Sequence, residues 1–403
     1  MLRFEDARQM VITQAGLGKF AGSTITKNVS DALGFVLAQE VRTDREYPPF
    51  DRSTRDGYAV RASDADIGKR LRCVGEIKAG DSVTAPLGEA TCVQIMTGAA
   101  VPFGADAVVM LEFTSRDGDI VNFRRETKPG QNVVTRGSEA GSDELALSPG
   151  LRLGFAELAV AAQVGAAQLR CYQKPRVAIL STGDEVVPIT EIPGPFHIRN
   201  SNSVSLGAQV RLAGGEPVLL GNASDRVEDL SAKIEIGLRE DILVLSGGVS
   251  MGKYDLVESV LKTMGVELYF DAVAIRPGKP AVFGRVRDKL VFGLPGNPVS
   301  TMVTLQVLVI PAIDVLSGAA ARPLPLMKAT LVEAIQERGE LMHFLPARLD
   351  WDSGRVLVAA LKWYGSGDIG ALSRANCFLV VPPERQNIAQ GEIVSVLPRW
   401  DVL

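Results

Sequence analysis

The chain has 403 residues, 46% of them hydrophobic and 22% charged, with a formal net charge of −4. That length exceeds one ordinary core, so more than one domain is expected. The balance is that of a soluble globular protein; it excludes a broad nucleic-acid surface but leaves local basic residues free to serve an anionic small molecule.

In chain order, Phe4–Thr13 and Val29–Glu40 carry helical spacing of apolar residues, with Ser30-Asp31 as a cap near the start of the second. After Tyr47-Pro48-Pro49 the texture changes. Short β-like runs, among them Thr91–Met96 and Ala107–Phe113, lie between Leu71 and Phe123, separated by Gly, Pro and Asp. Phe155–Ala167 is alanine-rich and helical again, which suggests a helical lobe assembled from both flanks of an inserted β-rich lobe. From Pro175 strands and helices alternate: strands at Arg176–Leu180, Pro217–Leu220, Ile242–Leu245 and Leu290–Leu294, helices at Ser201–Ala213, Arg226–Leu238 and Asp255–Met264 and from near Pro298. The alternation predicts a parallel sheet covered on both faces, with ligands at the carboxyl ends of its strands. Ala319–Leu326 reads as a linker, and Lys328–Val332, Val356–Ala360, Phe378–Val381 and Ile393–Leu397 as strands of a small β lobe. The expected fold is therefore α/β plus β lobes in four parts. These are a helical linking domain (1–45 and 133–174), an inserted β-rich lobe (46–132), a central doubly wound α/β domain (175–318) and a C-terminal β domain (319–403).

Cys73, Cys92, Cys171 and Cys377 form no C-x-x-C pair, and His197 and His343 have no neighbouring ligand pair. Structural zinc and iron–sulfur sites are not expected, and the cysteines read as small buried hydrophobes. Met1–Gln14 has no apolar signal core. Leu305–Ile310 is the short apolar run before Pro311, and no run of membrane-spanning length is expected. The expectation is a cytoplasmic protein with no membrane and no nucleic-acid partner.

The chemistry concentrates in three loops. Ser246-Gly247-Gly248-Val249-Ser250-Met251-Gly252-Lys253-Tyr254-Asp255 joins a strand to a helix, where backbone N–H groups can converge on an anion. Gly247–Lys253 fits the start of a P-loop, but Tyr254 stands where Mg²⁺ coordination needs a Ser or Thr, so a P-loop NTPase is rejected. Arg276-Pro277-Gly278-Lys279-Pro280 holds a lysine between prolines as an anion clamp. In Gly293-Leu294-Pro295-Gly296-Asn297-Pro298-Val299-Ser300, Asn297 can cap a helix whose first turn carries Ser300. Thr182-Gly183-Asp184-Glu185 places two carboxylates at a strand end, suited to a divalent cation bridging phosphates or, equally, to a capped turn. Asp255 alone is a helix cap; beside Asp184 and Glu185 it gains as a metal or water ligand.

Together these segments resemble the molybdopterin molybdotransferases, or molybdenum insertases, the family of the gephyrin E domain. Phe50–Ala59, with Asp56-Gly57-Tyr58-Ala59, and Thr97–Asp106, with Thr97-Gly98-Ala99, match the family's segments before the α/β part. Thr182–Glu185, Ser246–Asp255, Pro277–Pro280 and Gly293–Ser300 match its α/β signatures in order. The resemblance implies that molybdate delivers molybdenum to adenylylated molybdopterin with release of AMP, aided by Mg²⁺, in a homodimer whose cleft draws on both subunits. It also implies possible contact with the molybdopterin adenylyltransferase. By carry-over, Asp56, Thr97, Glu185, Asp255 and Lys279 are catalytic, and Asp184, Glu185 and Asp255 hold the metal. Ser246, Gly247, Gly248, Ser250, Arg276, Pro280, Pro295, Gly296, Asn297, Ser300, Arg348 and Ser366 bind substrate, with Lys279 and Ser300 foremost for molybdate. Three positions depart from the family: Asn200 where a carboxylate is usual, Glu139 near a usual Asp, and Arg276 where Lys is frequent. The α/β signatures also occur in molybdopterin adenylyltransferases, and a gephyrin-like scaffold and a tungsten-handling paralogue are further readings. The flanking lobes favour the insertase over the first, and the retained acidic and basic residues favour catalysis over the second.

Overall fold

The structure, a computed structural model, describes residues 1–17, 23–83, 85–248, 256–337, 339–385, 387–399 and 401–402. The chain forms two compact units. One comprises Met1–Ala38, Pro149–Gly154 and Leu169–Leu403, the other Gln39–Ser148 and Phe155–Gln168.

The larger unit is built on a six-stranded sheet in the order Glu216–Ala223, Arg176–Thr182, Ile242–Ser246, Lys289–Leu294, Val282–Val286, Glu267–Phe270. The first four strands are parallel. The last two are antiparallel additions at one edge, so the sheet is mixed and not the purely parallel one expected. Alternate residues of the central strands enter opposite cores. Val177, Ile179, Ile242 and Val244 pack on one face, Ala178, Leu180, Leu243 and Leu245 on the other, which is the period-two consequence of a strand covered on both sides. The helix Ser201–Ala213 starts where the Asn200 side chain accepts the Ser203 N–H at 3.0 Å and stops at Gly214, whose φ is 94°.

Pro298–Leu316 is continuously helical for 19 residues with a mean hydropathy of 1.9, long enough by composition to span a membrane, contrary to the expectation from Pro311. A wide π-type turn over Leu305–Val309 precedes the proline, re-routing hydrogen bonds around its missing N–H. That helical window is 78% buried within the protein, which accounts for its apolar surface as core.

The C-terminal strands close on themselves. Met342–Asp352 pairs with Arg355–Ala360, which pairs with Met327–Leu331, then Ile393–Pro398, then Cys377–Val381, and back to Met342–Asp352. This barrel shares a core with the α/β part through Phe344, Phe378 and Leu397. The ring of Phe4, on the first helix Phe4–Gly16, meets that of Phe344 edge-on at 5.8 Å.

The smaller unit holds a mixed sheet in the order Ala107–Met110, Gly57–Val60, Thr91–Ile95, Arg70–Ile77, Ile120–Phe123, Thr114–Asp117. All four cysteines are buried free thiols. The helix predicted over Val29–Glu40 does not form. Only a 3₁₀ turn at Val29–Asp31 appears, and the following N–H groups of Gly34, Leu37 and Ala38 bond to Leu153, Leu151 and Arg170 instead. Tertiary backbone pairing overrides the local apolar spacing. Phe4–Gly16 belongs to the larger unit and Phe155–Gln163 to the smaller.

Candidate functional site

The carboxyl ends of the parallel strands open into a cleft of about 400 Å³. Its lining includes Thr182, Glu185, Arg199, Asn200, Asn202 and Asp225, together with Ser246–Gly248, Pro280 and Pro295–Pro298. Its position is where open α/β sheets take ligands.

The polar groups at the floor are mostly engaged. Ser181 donates its hydroxyl to Asn200 Oδ1 at 2.9 Å, and Asn202 Nδ2 donates to Ser246 Oγ at 2.9 Å and to the Gly296 carbonyl at 2.7 Å. Asn202 thus ties the helix Ser201–Ala213 to two of the three loops. Asn200, the amide standing in place of a carboxylate, directs its oxygen to helix capping and to Ser181. Gly247 donates its N–H to the Leu294 carbonyl at 3.0 Å, so that amide is committed and does not join the N–H cluster expected around an anion. Gly183 has a φ of 128°, and a Cβ there would lie 2.4 Å from Glu185 Oε2. Only glycine allows this turn with the Glu185 carboxylate folded against it.

Asp184 does not line the cleft; its Oδ1 accepts the Asp225 backbone N–H at 3.1 Å. Asp225 takes a place on the rim beside Glu185, and burial, then the charges of Asp184 and Glu185, push its carboxyl above the ordinary range. Asp255 and Ser250 lie outside the described residues. Among those described, no group of three His, Cys, Asp or Glu side chains forms a metal cage. Mg²⁺ does not require one, because it is commonly held by one or two carboxylates plus substrate phosphates, and Glu185 with Asp225 fits that pattern.

The second loop keeps its backbone fixed, since the Lys279 carbonyl accepts from Val273 and Ala281 at 2.9 and 3.0 Å. Lys279 and Arg276 themselves are exposed, and of this loop Pro280 lines the cleft. In the third loop Asn297 makes no side-chain cap; its amide donates to Ser366 Oγ at 2.9 Å, and the Ser366 carbonyl accepts the Val299 N–H at 2.9 Å. A loop of the C-terminal region therefore satisfies the helix start that Asn297 was expected to serve. Ser300 is 4% exposed and outside the cleft lining. Arg348 is exposed on the barrel strand Met342–Asp352.

In the smaller unit Asp56 and Thr97 are brought together. The Thr97 N–H and hydroxyl donate to Asp56 Oδ1 at 2.6 and 2.8 Å and hold its carboxyl below the usual range. Gly57 follows because a Cβ there would meet the Val109 carbonyl oxygen at 2.0 Å. Glu139 forms an ion pair with Arg52 at 2.6 Å.

Sequence reasoning missed Asp225, Arg199 and the role of Asn202. Asp225 was findable: it follows the strand Glu216–Ala223, whose end was expected at Leu220, and every parallel strand of this sheet delivers its carboxyl end to the same edge.

Three family models match in succession: the MoeA N-terminal region (domain I and II) over residues 2–165, a probable molybdopterin binding domain over 178–315, and the MoeA C-terminal region (domain IV) over 328–399. The chain is 31% identical to the molybdopterin molybdenumtransferase of Haemophilus influenzae, covering 99% of this chain and 98% of that protein. It is 31% identical to the enzyme of that name from Bacillus subtilis, covering 93% and 90%. Two crystal structures of the molybdopterin biosynthesis moeA protein from Pyrococcus horikoshii are similar. One superposes with a TM-score of 0.81 at 27% identity, covering 98% of this chain and 99% of that one; the other has a TM-score of 0.76 at 31% identity, covering 99% of each. The fold, the strand-end cleft and this end-to-end similarity place the chain in the molybdopterin molybdenumtransferase family.

Proposed function

We propose that this protein inserts molybdenum from molybdate into adenylylated molybdopterin and releases AMP, completing the molybdenum cofactor. The observation that carries this reading is the similarity running unbroken across all three family regions. An adenylyltransferase needs only the α/β part. The cleft chemistry agrees: a glycine turn and Ser246 suit a phosphate, and Glu185 with Asp225 provides carboxylates for Mg²⁺, while Lys279 and Arg276, exposed on the loop whose Pro280 lines the cleft, offer cations outside that lining. Bound there, Mg²⁺ would screen phosphate charge. Asp184 acts by fixing the Asp225 backbone. Ser366 acts through Asn297 and Val299, which places the Pro295–Pro298 turn. Asp56 and Thr97, Arg348, Ser300, and Ser250 and Asp255 complete the proposed set.

The protein acts as a homodimer in the cytoplasm. Phe155–Gln163 supports the dimer: its sequence is FAELAVAAQ, yet Ala161 is its one buried residue and Phe155 is 87% exposed. An apolar helix left this bare needs a partner surface. Contact with the adenylyltransferase would pass the adenylylated intermediate on directly.

The deciding assay supplies preformed adenylylated molybdopterin with molybdate and measures AMP release and molybdenum incorporation, in parallel with AMP attachment to molybdopterin from ATP. Molybdate-dependent AMP release supports the insertase. Attachment alone would identify an adenylyltransferase, and neither activity would point to a scaffold. Light scattering checks the dimer, and a mass near 43 kDa, the monomer, at micromolar concentration would refute it.

A further inference from the structure

Thr182 ends the strand Arg176–Thr182, lines the cleft and is 5% exposed. Its hydroxyl is buried and has no hydrogen-bond partner among the described residues. Its neighbours differ. Ser181 is bonded to Asn200, Ser246 accepts from Asn202, and Asn297 donates to Ser366. Asn202 Oδ1 is also unpartnered, but it is an acceptor and cannot serve an anion. A buried hydroxyl left unpaired is destabilising, and valine has the same shape without that cost. The glycine turn is arranged around this hydroxyl. Gly247 and Gly248 have φ values of 102° and 66°, and a Cβ on either would lie 2.9 Å from Thr182 Oγ1. The Gly247 N–H is committed to Leu294, so that amide does not serve a ligand at the turn.

We propose that the Thr182 hydroxyl is a ligand donor: it hydrogen-bonds a phosphate oxygen of the ligand held at the Ser246–Gly248 turn. The assignment of that phosphate to an adenylylated substrate rests on the function proposed above. The chemistry required of the ligand is a phosphate ester or pyrophosphate oxygen. Thr182 sets affinity for it at the expense of the free protein's stability.

The two consequences have opposite signs, and that makes the proposal testable with full-length protein. Thr182→Val removes an unpaired buried hydroxyl at constant shape, so the unliganded melting temperature stays equal or rises. The same change weakens AMP and inorganic pyrophosphate, each titrated calorimetrically, by about tenfold or more, as expected for a lost hydrogen bond to a charged group. Thr182→Ser, which keeps the donor, recovers most of the affinity. Unchanged affinity of Thr182→Val for both probes overturns the proposal, as does a lowered melting temperature with wild-type affinity, the mark of a purely structural residue. A wild-type chain that binds pyrophosphate but not AMP overturns the nucleotide reading instead and leaves Thr182 judged on pyrophosphate. Binding of neither probe by wild type overturns both.

Discussion

Asp314 offers the sharpest stability prediction. Its side chain is 2% exposed and lies between two arginines, accepting from Arg152 at 3.1 Å and from Arg322 at 2.5 and 2.8 Å; it also takes the Arg322 backbone N–H at 3.0 Å. The two partners respond oppositely. Burial draws Arg152 down despite Asp314, while the Asp314 hydrogen bonds push Arg322 up. The closer, multiply bonded Arg322 is the main counter-ion. Asp314→Asn leaves two cations facing an amide. Removing one member of a buried ion pair costs about 3–5 kcal/mol. Arg152 and Arg322 keep 29% and 42% of their side chains exposed, so water takes up part of their charge and the lower end, about 3 kcal/mol, is expected. Denaturant unfolding followed by tryptophan fluorescence and circular dichroism reads this as an earlier transition of the larger unit. Asp314→Leu combined with Arg152→Met and Arg322→Met should recover part of the loss, because hydrophobic replacement of a whole buried ionic cluster is often neutral. A single-variant loss below about 1 kcal/mol would place Asp314 among ordinary surface pairs and refute the reasoning.

Glu185→Gln and Asp225→Asn should each strongly lower molybdenum insertion while preserving the fold; near-wild-type turnover at saturating Mg²⁺ would remove both from the metal assignment. Asp225 carries a pH signature as well. Its folded-state affinity for protons is raised, so the folded protein loses stability relative to the unfolded as pH climbs from about 4 through the raised value, and Asp225→Asn should abolish that decline in pH-dependent melting. Lys279→Gln should weaken molybdate binding by roughly ten- to hundredfold and adenylylated molybdopterin far less, because a small dianion has few other contacts; equal losses in separate titrations would assign Lys279 to the phosphate. Gly57→Ala should prevent native packing of the smaller unit, since its Cβ would overlap the Val109 carbonyl, and a wild-type circular dichroism melt would show that the two strands separate without cost.

What the sequence made legible divides along physical lines. The buried parallel strands were readable because a strand covered on both faces must be a continuous apolar run, and Ile242–Ser246 and Arg176–Thr182 are such runs. The barrel strand Met342–Asp352 was not, because Pro346, which has no N–H to give a ladder, interrupts its apolar run and argues against a strand until the neighbours that pair with it are known. Val29–Glu40 failed for a related reason. Helical spacing records which side chains are buried, not which carbonyl an amide reaches, and Leu153, Leu151 and Arg170 lie more than 100 residues away. The site shows the same division. Motif order located the cleft, since glycine, proline and acidic residues at strand ends are local chemistry. The division of labour within it is not local. Asp184 serves Asp225, Asn297 serves Ser366, and Gly247 serves Leu294, each removing from the ligand a group that its own sequence context offered. A motif therefore over-counts the donors and ligands of a site wherever loops converge, and a group left unpaired inside the cleft, here the Thr182 hydroxyl, is the one on which a proposed ligand contact can be tested.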